Sequence, residues 1–388
     1  MQPLTPFFKF FGKKRIFFSF YRSSKSSGSP GVRMVAGAIR WGIMGAGLIS
    51  ADFVGSLQDL PSEEAQVVAV AARSQASAEK FASSFAIPRA YGGYEALAAD
   101  PDVDVIYIGT VAQTHAACVR LALAAGKPVL VEKPIAMCKE DAAALTAEAK
   151  EKGLFLLEGM WTRFFPAIQK ARELLRSGII GDVVAVSADF GWPANPEGEH
   201  KRCVDPVSGG VSADVAMYPV GHILLATGAE PPARITATGT TRPASDGQSL
   251  VDWSVAGALS GFPGNPALSA TVLCTLDGST PEEAVFTGTK GTLRIHRPAH
   301  TPTRLTLSVA ESREVSKEQI FDFPLPPPPK GSLPFNYPGS QGFVYEARAV
   351  HAALRGGKLQ CEEWTHAESI TTQGCVDALR GAVIRGAA

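Results

Sequence analysis

The 388-residue chain lacks several things, and each lack closes off a class of function. It has no surplus of either charge, because 37 Lys and Arg stand against 37 Asp and Glu. Without a cationic field to hold a polyanion, nucleic acid is not expected as a partner. No apolar run approaches the roughly 20 residues that a bilayer-spanning helix requires, so no membrane partner is expected either. The six cysteines (Cys118, Cys138, Cys203, Cys274, Cys361 and Cys375) form no Cys-x-x-Cys pair and no Cys/His cluster at zinc spacing. They are expected as reduced thiols, with no structural metal and no disulfide framework.

Acid is also missing from the N-terminal stretch, where the first carboxylate is Asp52. Seven basic residues precede residue 39, a serine cluster spans 23–29, and phenylalanines are interleaved among the cations. That composition matches an organellar transit peptide, for plastid or mitochondrion, and residues 1–35 are set apart as a leader on this ground. The alternatives are an untargeted tail, or translation from Met34 and a cytoplasmic protein. Without the leader, 30 basic residues remain against 37 acidic ones, which moves the chain further from nucleic acid.

From Ile39 onward, short apolar stretches alternate with alanine-rich amphipathic ones. Strands are expected at 39–44, 66–72, 103–109, 128–131 and 154–157, and helices at 48–57, 76–85, 115–125 and 141–152. Continuously apolar strands separated by helices imply a parallel sheet covered on both faces. The second half instead strings strands together at 183–190, 234–241, 253–259, 268–276, 284–287, 292–296 and 304–309, joined by Gly/Pro turns. Helices at 341–354 and 367–384 close the chain, after a stiff proline run at 324–329. The expected fold class is α/β: a doubly wound Rossmann parallel sheet over 36–160, then an α+β domain over 161–388 with a large, mostly antiparallel open sheet. Half-buried alternation in the later strands leaves one sheet face for pairing with a second copy, so a homodimer is expected.

The first strand runs directly into Gly45-Ala46-Gly47-Leu48-Ile49-Ser50. This is G-x-G-x-x-G with serine in third place, lying between a strand and a helix. Gly45 makes the tight turn, Gly47 lets a pyrophosphate approach the helix N-terminus, and Ser50 is small enough for helix–strand packing. The second strand ends in Ala72-Arg73-Ser74 without the carboxylate that would hold an NAD ribose. Arg73 suits a 2′-phosphate, with Ser74 as a second donor, so NADP is the expected cofactor.

The fifth strand delivers Val129-Leu130-Val131-Glu132-Lys133-Pro134 to the crevice end of the sheet. Asp214, Tyr218 and His222 follow at i, i+4, i+8, a polar stripe along one helical face. A tyrosine titrates near pH 10, and a neighbouring ammonium is expected to lower that value.

These residues carry a resemblance. The glycine loop, Glu132-Lys133-Pro134, the segment Glu158-Gly159-Met160-Trp161-Thr162-Arg163-Phe164-Phe165-Pro166, Gly209-Gly210 before Asp214 and Tyr218, and Gly342-Phe343-Val344-Tyr345-Glu346 together resemble the glucose–fructose oxidoreductase/inositol dehydrogenase (Gfo/Idh/MocA) superfamily. Tyr218, where many members have histidine, is similar to the dimeric dihydrodiol dehydrogenase branch, which also oxidises D-xylose with NADP. The resemblance implies that Lys133 and Tyr218 form the catalytic pair, oriented by Asp214. Tyr218 would act as base in alcohol oxidation and as acid in carbonyl reduction. It also implies that Trp161 and Phe190 line the substrate site. Thr110 and His115 would pass the nicotinamide ribose, with a capping or packing role as the alternative for His115; Glu132 would contact the cofactor, and Arg163 the cofactor or the substrate, with a plain ion pair as the alternative for Arg163. His222 is expected to be structural. The expected reaction moves a hydride between the cofactor and a CH–OH group of a sugar or trans-dihydrodiol. Two other readings stand beside it: a keto- or anhydro-sugar reductase, and a non-catalytic NADP-binding sensor.

Overall fold

The computed structural model describes residues 37–312, 315–327 and 333–387; the proposed leader at 1–35 lies outside them. The first sheet is built from β1 (Ile39–Met44), α1 (Leu48–Gln58), β2 (Ala65–Ala72), α2 (Gln75–Phe85), β3 (Arg89–Gly92), α3 (Tyr94–Ala99), β4 (Val105–Ile108), α4 (His115–Ala124), β5 (Val129–Glu132), α5 (Lys139–Glu151) and β6 (Leu156–Gly159). Its six strands are all parallel, in the order β3-β2-β1-β4-β5-β6. The order reverses between β1 and β4, and a crevice opens there beyond the strand ends. Every residue of β4, β5 and β6 is buried, as apolar strands covered on both faces must be. β3 and α3 were not expected. β3 is a four-residue edge strand, half-exposed for most of its length, and carries no apolar run to signal it.

The second half holds α6 (Pro166–Arg176), β7 (Val183–Gly191), α7 (Met217–Thr227), β8 (Arg234–Pro243), β9 (Leu250–Phe262), β10 (Asn265–Thr275), β11 (Ala284–Gly288), β12 (Gly291–Ile295), β13 (Arg304–Ala310), β14 (Ser316–Asp322), α8 (Phe343–Arg355) and α9 (His366–Ala387). The eight strands run β14-β13-β12-β11-β7-β10-β9-β8, antiparallel except where β7 meets β10. In β10, Leu268, Ala270, Val272 and Cys274 point into the core while Ser269, Thr271 and Leu273 point out. This period-two pattern leaves one sheet face bare. α6 is signalled by Pro166 at its first position and by the buried spacing Ala167, Ile168, Ala171, Leu174, although the sequence reading passed over it. β14 gave no such signal: it is an exposed, charged edge strand, a composition that discourages further pairing.

Among the described residues all six cysteines are free, no group of three or more ligating side chains could hold a metal, and no helix is long and apolar enough to cross a membrane.

Candidate active site

The nucleotide side of the crevice is made largely of backbone. Gly45 has φ +106°, and a Cβ there would lie 2.7 Å from the Gly109 carbonyl oxygen, so only glycine fits between β1 and β4. Gly47 is the N-cap of α1 and no side chain caps the helix. Its first N–H groups are left for an anion, beside an exposed Leu48 and the half-buried Ala46 and Ile49. Ser50 is fully buried, with its hydroxyl 3.4 Å from the Gly109 carbonyl, as helix–strand packing requires. Thr110 sits at the same mouth. Arg73 is exposed at the end of β2 and makes no ion pair among the described residues. These features fit a dinucleotide. Ser74 is a correction: its hydroxyl caps α2 by accepting from the Ser77 N–H and donates to the Ser77 hydroxyl, so it is already engaged.

The two residues expected to be catalytic, Lys133 and Tyr218, come from different halves of the chain. Lys133 follows the last residue of β5, and its Nζ lies 5.3 Å from the centre of the Tyr218 ring at the start of α7. Trp161 Nε1 donates to the Tyr218 hydroxyl at 3.1 Å. Gly209 and Gly210 turn the chain into this helix. At Gly210 φ is +98°, and a Cβ would lie 2.2 Å from Asp252 Oδ1, whose other oxygen accepts from the Ser212 N–H. Residues 212–216 form a wide π-type turn ahead of Pro219, which has no N–H to continue a regular ladder. Asp214 and Tyr218 therefore flank a wide-to-regular transition rather than one uniform helix.

Asp214 meets Lys133 through its backbone rather than its carboxylate. Its backbone carbonyl accepts from Lys133 Nζ at 2.9 Å, while the carboxylate pairs with both terminal nitrogens of Arg202. Burial opposes that charge, but Arg202 and then Lys133 outweigh it and hold the carboxyl below the usual range. Tyr218 also departs from expectation. Burial first, then the nearby Glu132 and Asp214, push its phenol well above the ordinary value despite Lys133. The resting group is a neutral phenol.

Three residues expected at the cofactor are buried and already paired within the protein. Glu132 is buried, accepts from the Tyr107 hydroxyl at 2.8 Å, and burial lifts its carboxyl to about 7 against the opposing pull of Lys133 and Tyr107. His115 is buried with Nδ1 2.7 Å from the Pro134 carbonyl and Nε2 3.1 Å from that of Thr110. It ties the β4 loop to the turn after Lys133, and Glu158 holds the same turn by accepting from the Ile135 N–H at 2.9 Å. Arg163 is buried, paired with Glu368 at the start of α9 and 4.9 Å from the Trp364 ring centre. Its Nη2 is held by Glu368, while Nε and Nη1 are buried without a hydrogen-bond partner among the described residues. His222 is structural as expected: it is buried, bonds the Ala299 backbone, and burial lowers it to about 3.

The substrate side is a group of rings. Phe190 lies 5.6 Å from Tyr218, and Trp161 lies 4.5 Å from Phe343. Sequence reasoning missed Arg202, His300, Tyr337 and Asp52. Asp52 latches the 336–340 loop to α1, accepting from the Asn336 and Tyr337 N–H groups, the Asn336 amide and the Ser340 hydroxyl at 2.7–2.8 Å. That loop carries Tyr337, whose phenol is pushed up by burial, with Arg202 pulling the other way and Asp214 adding to the rise. These pairings join segments far apart in the chain, and no local pattern announces them.

Comparison with known proteins agrees with this geometry. Residues 39–160 match the oxidoreductase family with an NAD-binding Rossmann fold, and residues 168–294 match the GFO/IDH/MocA C-terminal domain. The chain is 40% identical over 348 residues to trans-1,2-dihydrobenzene-1,2-diol dehydrogenase of Sus scrofa, covering 89% of this chain and 97% of that one. A 3-ketoreductase from Actinomadura kijaniata, solved with NADP and TDP-benzene, superposes with TM-score 0.71 at 25% identity over 89% of this chain and 98% of that chain. A levoglucosan dehydrogenase solved with NADH and levoglucosan shares the fold, with TM-score 0.76 at 18% identity over 90% and 98%. The chain belongs to the Gfo/Idh/MocA family, as an oxidoreductase that binds a nicotinamide dinucleotide.

Proposed function

We propose that the protein is an NADP-dependent dehydrogenase acting on a CH–OH group of a trans-dihydrodiol or a D-xylose-like sugar. The observation that carries this reading is the meeting of Lys133, Tyr218 and Trp161 at the strand-end side of the same parallel sheet whose β1 leads into the uncapped N-terminus of α1. The similarity to dihydrodiol dehydrogenases supports it. When bound, the nicotinamide supplies or accepts the hydride at C4. Lys133 holds the substrate oxygen with its remaining N–H donors, and Tyr218 moves the proton on that oxygen. The Asp214 carbonyl fixes the ammonium, Trp161 fixes the phenol, and the buried rings around them exclude water. Arg73, exposed and without an ion pair, supports a 2′-phosphate and so NADP.

A second reading, favoured by the neutral resting phenol, is that the enzyme works mainly as a reductase of a keto-sugar. Tyr218 is then already in the proton-donating form. Initial rates in both directions with NADP(H) and NAD(H), using D-xylose, a trans-dihydrodiol and a keto-sugar, distinguish the two. Oxidation with NADP supports the first, and reduction alone supports the second.

We also propose a homodimer across the bare sheet face, where Thr236, Thr238, Ala256, Ala258, Thr271 and Leu273 line a shallow surface with Asp189 as the acidic residue among its lining. Small and β-branched side chains allow two such faces to approach closely. Sedimentation at working concentration tests this, with Leu273→Glu expected to give a monomer.

A further inference from the structure

We propose that His300 is a substrate-binding residue that accepts a hydrogen bond from the hydroxyl adjacent to the reacting one, so that the site selects vicinal diols. This rests on the dehydrogenase reading above and names the part of the substrate that reading leaves open.

His300 lies in the connection between β12 and β13, remote in sequence from every other site residue. Its ring stacks on Phe190 at 4.9 Å between centres, and lies 5.7 Å from Tyr218 and 6.1 Å from Trp161. It therefore borders the same space as the rings expected to hold substrate. The ring is fixed at both ends of the residue. Nδ1 pairs with Glu282 Oε1, and the backbone carbonyl accepts from the Thr162 hydroxyl. Glu282 is itself buried and anchored: its N–H donates to Asp189 Oδ2 at 2.6 Å, and its carbonyl accepts from the Ala299 N–H at 3.1 Å.

A carboxylate only accepts hydrogen bonds, so Nδ1 carries the proton and, in that neutral tautomer, Nε2 is the atom that presents a lone pair. That nitrogen has no partner among the described residues, and the side chain keeps 18% of its surface open. It is a polar position beside an otherwise aromatic wall. An apolar wall discriminates poorly between substrates differing by one hydroxyl, whereas a site built to bond that hydroxyl discriminates strongly. Neighbouring ring hydroxyls lie roughly 3 Å apart, about one hydrogen-bond length. The His300 and Tyr218 ring centres are 5.7 Å apart, close enough for two adjacent hydroxyls of one substrate to reach both side chains.

The test compares kcat/KM for matched substrates with and without the adjacent hydroxyl, D-xylose against its 2-deoxy analogue, in wild type, His300→Phe, His300→Gln and Glu282→Gln. Phenylalanine keeps the stack on Phe190 and removes the acceptor, while glutamine offers a replacement carbonyl. The expected result is a loss of preference for D-xylose of roughly tenfold to a hundredfold in His300→Phe, with the 2-deoxy substrate little affected. Glutamine should restore part of it, and Glu282→Gln should lose part. NADP affinity should be unchanged throughout. Equal losses on both substrates, or unchanged preference, would overturn the proposal. Should wild type turn over neither substrate, the dehydrogenase reading fails separately. Equilibrium binding of D-xylose to the protein with NADP then decides: weaker binding in His300→Phe supports the proposal, and no binding or no difference overturns it. If His300→Phe does not melt cooperatively, His300→Leu takes its place in the same comparison.

Discussion

The two sides of the crevice are built on different principles. The cofactor side is short in sequence and made of backbone: one glycine turn, one uncapped helix end and one exposed arginine. The substrate side is made of side chains, and Lys133, Trp161, Phe190, Tyr218, His300 and Tyr337 arrive from six separate segments. The first depends on dihedral angles and on the absence of a Cβ; the second depends on packing and on a balance of buried charge. Changes on one side should therefore alter cofactor affinity with little effect on chemistry, and changes on the other should do the reverse.

The largest separation is expected from Lys133→Met and Tyr218→Phe, each lowering kcat by about 10²- to 10⁴-fold while NADP affinity holds. Stopped-flow or initial-rate kinetics beside a direct titration of NADP read both quantities. On the other side, Gly45→Ala forces a Cβ against the Gly109 carbonyl at positive φ. It should weaken cofactor binding at least tenfold and lower the melting temperature, by a cost of about 1–2 kcal/mol or more. Arg73→Ala should shift the NADP/NAD preference in kcat/KM by about tenfold to a hundredfold, the loss of one or two charge-assisted hydrogen bonds.

Smaller effects come from pH. Because Tyr218 is raised, alcohol oxidation, which needs its unprotonated form, should quicken with rising pH, while carbonyl reduction should stay flat through neutrality. A pH–rate profile in both directions checks the sign. His222 is smaller still. Its folded value of about 3 lies below its ordinary 6.5, so the unfolded chain takes up the proton first. Its contribution is complete above about pH 6.5 and declines as pH falls toward 3. In His222→Gln the melting temperature should fall less steeply across that window.

The parts legible in the sequence are those whose cause is local. The glycine turn, the parallel strands and Ser50 at the helix–strand contact stand where residue type and spacing place them, while the approach of Lys133 to Tyr218 was legible only through resemblance. The substrate wall was legible only as far as Trp161 and Phe190, through resemblance. β14 and β3 were missed because edge strands need no apolar pattern. Glu132, His115 and Arg163 were assigned to the cofactor because they stand beside residues that reach it, yet each turns inward and is paired there. The resemblance implies that the Lys133 ammonium stands near Tyr218. It does not show how fully the phenol is buried, nor that Glu132 and Asp214 converge on it, and those terms decide the direction of its titration.

The central claim is that Lys133 and Tyr218 move the proton while a separate backbone cradle holds the cofactor. The most direct test measures NADP dissociation constants and rates of NADPH formation, with D-xylose and a trans-dihydrodiol, on the same preparations of wild type, Lys133→Met and Tyr218→Phe. The account predicts near-wild-type dissociation constants and rates reduced by at least about a hundredfold in both variants. Variants that turn over at wild-type rates, or that lose NADP binding in step with turnover, would contradict it.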